Sequence, residues 1–256
     1  MKNNLKKIAV TIPCHNEAVA ISGVVSAFAN AIPEADIFVY DNVSTDGTAE
    51  IAKKSGAIVC TEPNKGKGNV VRRMFADIDA DIYVIVDGDG TYDASKCSEM
   101  IRRLVDNNLD MVTATRKAIN SKDAYRPGHI FGNWVLTRAV SYLFGHGFTD
   151  MLSGYRVMSR RFVKSFPIIS KGFEIETEMT IHALQMRVPY EELETMYDSR
   201  PEGSESKLST FKDGLRILKM IFLLFKEERP FQFFGLFSLF LFMISIILAI
   251  PIFITY

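Results

Sequence analysis

Asp87-Gly88-Asp89-Gly90-Thr91 sets two carboxylates one residue apart, directly behind the apolar run 82–86. At a strand end both can face one divalent cation. Hard oxygen ligands suit Mg²⁺ or Mn²⁺, which complete their shells with phosphates and waters. The flanking glycines let backbone approach a ligand closely. A solvated turn uses the same residue types, but the place behind a buried strand favours the metal. A second polar run, Asp41-Asn42-Val43-Ser44-Thr45-Asp46-Gly47-Thr48, also follows an apolar stretch. Asp46 or Thr48 can cap the next helix, which leaves Asp41 to accept hydrogen bonds from a ribose or base. Pro63-Asn64-Lys65-Gly66-Lys67-Gly68 joins glycines and two lysines to a helix start, an arrangement that can cradle an anion. It lacks the GK[ST] of a Walker A loop, and the first strand lacks GxGxxG, which disfavours a dinucleotide-binding dehydrogenase. Further on lie Thr149-Asp150-Met151-Leu152-Ser153-Gly154-Tyr155-Arg156, Phe173-Glu174-Ile175-Glu176-Thr177-Glu178 and the loop 197–207. That loop carries Arg200 and Lys207, spaced to reach over a pyrophosphate. Any one of these charges alone is ordinary surface.

These groups need a frame that gathers them. Apolar, β-rich runs at 8–12, 36–40, 57–61, 81–86 and 110–115 alternate with amphipathic helical runs at 18–31, 48–55, 68–77 and 95–107. Such alternation predicts right-handed βαβ units and an α/β fold with a mainly parallel sheet. Ligands on these sheets bind beyond the carboxyl ends of the strands, which is where the polar motifs Pro13–Glu17, Asp41–Thr48, Glu62–Gly68 and Asp87–Tyr92 fall. After a polar loop at 116–128 the pattern predicts a helix at 129–144, a strand at 154–158, a helix at 173–186 and a strand at 188–196.

Length allows one large α/β domain, or two small ones, with a substantial core. Thirty basic residues balance thirty acidic ones, so no global field points to nucleic acid as a partner. Cys14, Cys60 and Cys97 are scattered and form no CxxC pair, which suggests neither a zinc site nor a disulfide framework and fits a reducing cytosol. The first residues hold too short an apolar run for a secretory signal.

The far end differs. Residues 231–256 contain no charged side chain over 26 residues, and a membrane-spanning helix needs about 20. From 208 to 225 apolar residues recur at helical spacing, with Lys212, Arg216 and Lys219 on other faces. This helix either lies along a bilayer interface or packs back on the domain. The expected organisation is a cytoplasmic catalytic domain at 1–207, an amphipathic juxtamembrane helix at 208–230 and a transmembrane helix at 231–256. Lys226 and Arg229 before the span favour the cytoplasmic side for the domain. A homo-oligomer packed through such spans is compatible with the sequence, but no pattern specifies one.

The ordered series Ile12-Pro13…Asn16-Glu17, Asp41…Ser44…Asp46-Gly47-Thr48, Asn64…Gly66-Lys67-Gly68, Asp87-Gly88-Asp89, Ser153-Gly154-Tyr155-Arg156 and Arg200…Gly203…Ser206-Lys207 resembles the family 2 inverting glycosyltransferases of the GT-A, Rossmann-like nucleotide-diphospho-sugar transferase fold. It is most similar to the polyprenyl- and dolichyl-phosphate group, that of dolichol-phosphate mannose synthase. The resemblance covers roughly residues 7–230. It implies metal-dependent inverting transfer of a sugar from a nucleotide-sugar (uridine favoured over guanosine) to a membrane polyprenyl phosphate, in the synthesis of cell-envelope glycans or glycoconjugates. It implies that Pro13, Glu17 and Asp41 contact the nucleoside, with Lys67 and Asp87 also on the donor. Asp87 and Asp89 hold Mg²⁺ or Mn²⁺, with Asp89 the direct ligand. Ser153 and Arg156 meet the acceptor phosphate, and Arg200 and Lys207 close over the diphosphate. Many relatives carry Gln two residues after the second Asp, where this chain has Thr91, so a third metal-ligating side chain is in doubt. Many also carry two membrane helices after the catalytic domain, while this sequence offers one. The competing readings are transfer to a hydroxyl of a glycolipid or polysaccharide, with Asp150, Glu174 or Glu176 as base, and a non-catalytic membrane adaptor.

Overall fold

The computed structural model describes residues 6–118, 129–145, 147–204, 207 and 210–255. β1 (Ile8–Cys14), β2 (Asp36–Asp41) and β3 (Ile58–Thr61) alternate with α1 (Ile21–Ala31) and α2 (Thr48–Lys54). α3 (Lys67–Asp77) leads to β4 (Ile82–Ile85), and α4 (Cys97–Asp106) to β5 (Met111–Ala118). Beyond them come α5 (His129–Phe144), β6 (Arg156–Ser159), α6 (Arg160–Ser165), α7 (Ile175–Gln185), β7 (Tyr190–Tyr197), α8 (Thr210–Glu228) and α9 (Pro230–Thr255). The expected strands and helices are present with ends moved by a few residues; the short α6 was not foreseen. Most of the stretch 116–128, with Ser206 and Leu208, lies outside the described residues.

The strands form one sheet in the order β3-β2-β1-β4-β6-β5-β7. β6 runs antiparallel to β4 and β5, while the other pairings are parallel. From β1 the chain steps outward to β2 and β3, then returns to place β4 on the other side of β1. The crevice at the carboxyl ends of β1 and β4 is therefore a topological switch point, where such sheets bind ligands.

Alternation along the central strands supplies two apolar layers. Ile8, Val10, Ile12, Ile82 and Val84 face α1 and α4, burying Val25, Phe28, Met100 and Leu104. Ala9, Tyr83 and Ile85 face the opposite way, against Val71, Met74 and Phe75 of α3 and Ile175 and Met179 of α7. With the strands clamped on both faces, their carboxyl ends become fixed points from which loops project.

A third cluster joins Leu136, Val140 and Phe144 of α5, Ile181 of α7, and Ile217, Met220, Ile221 and Leu224 of α8. The two expectations for the helix before the span are therefore not exclusive. One face of α8 packs on the domain, while Leu215, Leu218 and Phe222 remain uncovered on the other. α9 follows across Arg229 and buries none of its apolar segment Pro230–Pro251 in the protein. Its 26 residues span about 39 Å at roughly 1.5 Å each, enough to cross a hydrocarbon core of about 30 Å.

Candidate active site

The loops beyond β1 and β2 are stitched together. Asn16 is bonded to both Ser44 and Thr45: its amide donates to Ser44 Oγ (2.9 Å), and the Thr45 amide donates to Asn16 Oδ1 (2.8 Å). The amides of Glu17 and Ala18 donate to Thr48 Oγ1 (2.9 Å) and Asp46 Oδ2 (3.0 Å). Asn42 ties in the third loop, donating to the carbonyls of Glu62 and Asn64 and accepting from the Gly66 amide at 2.7 Å. The turn holds Val43 at φ 61°, a left-handed conformation that costs a β-branched residue of order 1–3 kcal/mol. The surrounding bonds enforce it.

These loops, with those after β4 and β7, wall a cavity of about 1930 Å³, larger than the roughly 300–1,000 Å³ one small ligand takes. Pro13, Glu17, Lys67, Asp87, Asp89, Arg200 and Lys207 line one end; Arg116, Asn133, Trp134, Arg138, Tyr142 and Ile217 line the other. Lys67 pairs with both Asp87 and Glu176. Arg200 pairs with Asp89 at 2.5 Å and Glu17 at 3.4 Å. Burial works against the charge on Lys67, but Asp87 and Glu176 overcome it and hold the ammonium above the ordinary lysine value. Burial, and then Asp87 beside it, push the Asp89 carboxyl above the usual range, and Arg200 offsets this only in part. Thr91 donates to Asp89 Oδ1 through its hydroxyl at 2.6 Å and its amide at 3.2 Å. At the other end Arg116 makes a two-pronged pair with Asp150, both contacts 2.7 Å, and its backbone amide and Asn133 add two further bonds to that carboxylate.

The profile described as "Glycosyl transferase family 2" matches residues 9–166. This chain belongs to glycosyl transferase family 2. The enzyme is similar to Glycosyltransferase AglJ of Haloferax volcanii, 34% identical over 229 residues, covering 89% of this chain and 75% of the relative. It is similar to the undecaprenyl-phosphate mannosyltransferase of Micrococcus luteus, 23% identical over 224 residues, or 79% of this chain and 88% of that one. Among solved structures, glucosyl-3-phosphoglycerate synthase from Mycobacterium tuberculosis with Mn²⁺, UDP and glucosyl-3-phosphoglycerate superposes with TM-score 0.68. The identity is 21%, over 86% of this chain and 79% of that one. The GT-A fold and the transferase class follow.

In this glycosyltransferase several anticipated residues take other places. Arg156 is fully buried and does not line the cavity. Its guanidinium donates to the carbonyls of Met151 (2.8 Å), Ser153 (3.1 Å) and Glu176 (3.1 Å) and to Thr180 Oγ1 (2.9 Å). Burial lowers it to about 10. Ser153 is equally buried, its Oγ accepting from the Tyr155 amide. Neither side chain is placed to meet an acceptor phosphate; they brace β6 and α7. Gly154 of the same motif does serve the site: an added Cβ would overlap the Asp87 carboxylate. The start of α3 is no open anion cradle either. The Gly68 amide donates to the Lys171 carbonyl, and a Cβ at Gly66 or Gly68 would strike the backbone of Ser170 and Lys171. Those glycines let the 166–174 segment cross close by, while Lys65 and Lys67 border the cavity. Asp41 lies just beneath the cavity wall, beside Cys14, with Oδ2 accepting from the Ser44 amide and Oδ1 buried without a hydrogen-bond partner.

Sequence reasoning passed over Arg116, Asn42 and the pairing of Lys67 with Glu176. Arg116 was expected in a loop but lies on β5, which pairs with β7 out to Ala118. Applying the strand-end rule to β5 would have found it.

Asp87 and Asp89 suit a divalent cation by donor type. No group of three or more His, Cys, Asp or Glu fit to hold a metal occurs among the described residues. Mg²⁺ and Mn²⁺ accept one or two carboxylates when substrate phosphates complete the shell.

Two outcomes are expected. Arg156→Ala, by leaving several buried acceptors unsatisfied, costs at least about 3 kcal/mol, read as a lowered unfolding midpoint of the purified protein. Gly154→Ala displaces Asp87 and lowers kcat/KM on the order of 10²-fold with the unfolding midpoint nearly unchanged.

Proposed function

We propose that this glycosyltransferase transfers a sugar with inversion from a metal-bound nucleotide-sugar, UDP-linked for preference, to a membrane polyprenyl phosphate. The observation that carries the reading is the extent of the cavity. It runs from Asp87 and Asp89 to α5 and α8, and α8 leads directly into the apolar helix α9. In this reading α9 spans the bilayer, the uncovered face of α8 rests on it, and Lys226 and Arg229 keep the catalytic domain on the cytoplasmic side. The acceptor end of the cavity then opens where a lipid phosphate emerges. The Micrococcus luteus relative, named for undecaprenyl phosphate, and the Mn²⁺ and UDP held by the solved neighbour support the same substrates.

Asp87 and Asp89 would hold the cation. When bound, it supplies positive charge to the departing diphosphate. Arg200 and Lys207 close over that diphosphate from the loop after β7 and share the same task. Pro13 and Glu17 form the nucleoside end, with Asp41 buried beneath it. A phosphate monoester, with its second pKa near ~6, is largely dianionic at neutral pH and needs positioning more than a base. Arg116 and Arg138 line the cavity on the acceptor side and take the role expected of Arg156. The acceptor oxygen bonds to the anomeric carbon as the bond to the nucleoside diphosphate breaks on the opposite face. A hydroxyl acceptor would need a carboxylate base. The candidates are poorly placed for that: Asp150 is held by Arg116, Glu176 by Lys67, and Glu174 does not line the cavity.

Full-length enzyme in detergent, given undecaprenyl phosphate and a panel of nucleotide-sugars with Mn²⁺, is expected to yield a glycosyl phospholipid detectable by mass analysis. EDTA abolishes it, and Asp89→Asn lowers turnover by at least about 10²-fold. Product formed only on hydroxyl acceptors would overturn the acceptor assignment.

A further inference from the structure

Lys67 and Arg200 share one arrangement. Each bridges a member of the Asp87/Asp89 pair and a second carboxylate from a separate part of the chain. Lys67, the first residue of α3, joins Asp87 to Glu176 in the first turn of α7. Arg200, behind β7, joins Asp89 to Glu17, behind β1. In these two bridges four carboxylates face two basic groups.

A divalent cation and an ammonium cannot both sit against one carboxylate oxygen without strong repulsion in a site shielded from water. The basic groups must yield. Lys67 has a side chain only 10% exposed, and a displaced ammonium left unpaired there would be costly. Glu176 already touches it and is itself buried. Arg200 has the equivalent second partner in Glu17, whose other oxygen accepts from Ser204 at 3.1 Å. The geometry points to an exchange site: Lys67 and Arg200 are resident counter-ions of Asp87 and Asp89, and Glu176 and Glu17 are positioning residues that receive them when a divalent cation takes the pair. This rests on the metal reading of Asp87 and Asp89. In the absence of nucleotide the cation therefore binds against two internal competitors. A diphosphate tips the exchange by giving Arg200 a further anionic partner.

Mn²⁺ titration followed by the free-ion EPR signal, on full-length protein in detergent, tests this without turnover. Lys67→Met and Arg200→Met each remove a competitor and are expected to tighten Mn²⁺ binding in the absence of nucleotide by at least about threefold. Adding UDP strengthens Mn²⁺ binding less in Arg200→Met than in wild type. Glu176→Gln, which strands Lys67 on Asp87, weakens Mn²⁺ binding by a similar factor, and this loss vanishes in the Lys67→Met background. Unchanged or weaker binding in Lys67→Met or Arg200→Met overturns the exchange. So does a Glu176→Gln effect that is absent, or that persists without Lys67 and so reports plain charge. Should Lys67→Met fail to fold, Arg200→Met, on a partly exposed loop, answers the same question. Asp89→Asn separates the two levels: if wild type binds Mn²⁺ no better than Asp89→Asn, the metal reading itself falls. If it binds better, the other variants judge the exchange alone.

Discussion

Two carboxylates one residue apart, the second only 4% exposed, cannot both stay ionised in a half-dry crevice unless positive charge is within reach. Much of the enzyme's architecture answers that constraint. Lys67 comes from α3 and Arg200 from the loop after β7, so the acidic pair draws segments remote in sequence onto one strand end. The packing beneath must allow the approach. A Cβ at Gly88 would collide with Cys14 Sγ on β1, and one at Gly154 with Asp87. The loop beyond β4 therefore sits against β1 and β6 because two positions lack side chains. Thr91, standing where a longer amide side chain was anticipated, turns back to bond Asp89. Its hydroxyl and amide both bond one oxygen of that carboxylate and so orient it.

The first half of the chain was legible because one rule covers it. Apolar runs of strand length ended in polar motifs, parallel strands put all those ends on one edge, and Pro13, Glu17, Lys67, Asp87 and Asp89 meet there. Arg200 and Lys207 were legible as basic residues on a polar loop. Arg156 misled because a motif joins residues of unlike purpose. Gly154 faces the site, whereas the arginine two positions on continues along β6 into the core, where carbonyls from the β6 approach and α7 surround it. Arg116 was hidden for the converse reason. Where β5 ends depends on β7, a partner more than seventy residues away in sequence, and local composition around 116 reads as loop. Glu176 looked like a free acid because sequence shows a carboxylate but not the ammonium paired to it.

The two faces of α8 explain how a soluble catalytic fold and an apolar helix coexist without an elaborate linker. Ile217, Ile221 and Leu224 anchor α8 on α5 and α7, which fixes the starting direction of α9 relative to the cavity. Phe233, near the start of α9, packs edge-on against Phe222 and Phe225 of α8, so the junction is held by rings as well as by chain continuity. A bilayer around α9 would thus meet the domain in a set orientation, with α5, which lines the acceptor end, beside α8.

The same electrostatic logic operates at both ends of the cavity. Arg116 carries Asp150 as Lys67 carries Asp87 and Glu176, so each anion-seeking group holds a carboxylate of the protein in the absence of substrate. An unpaired guanidinium or ammonium buried at these depths would destabilise the fold, whereas a paired one avoids that cost. A substrate anion must then outcompete or share a fixed carboxylate. A phosphate dianion, with more charge and three acceptor oxygens, can do so where a neutral hydroxyl cannot. Under the proposed acceptor assignment, selection for phosphate would need no pocket shaped to a headgroup: it would follow from the charge required to draw Arg116 away from the Asp150 carboxylate.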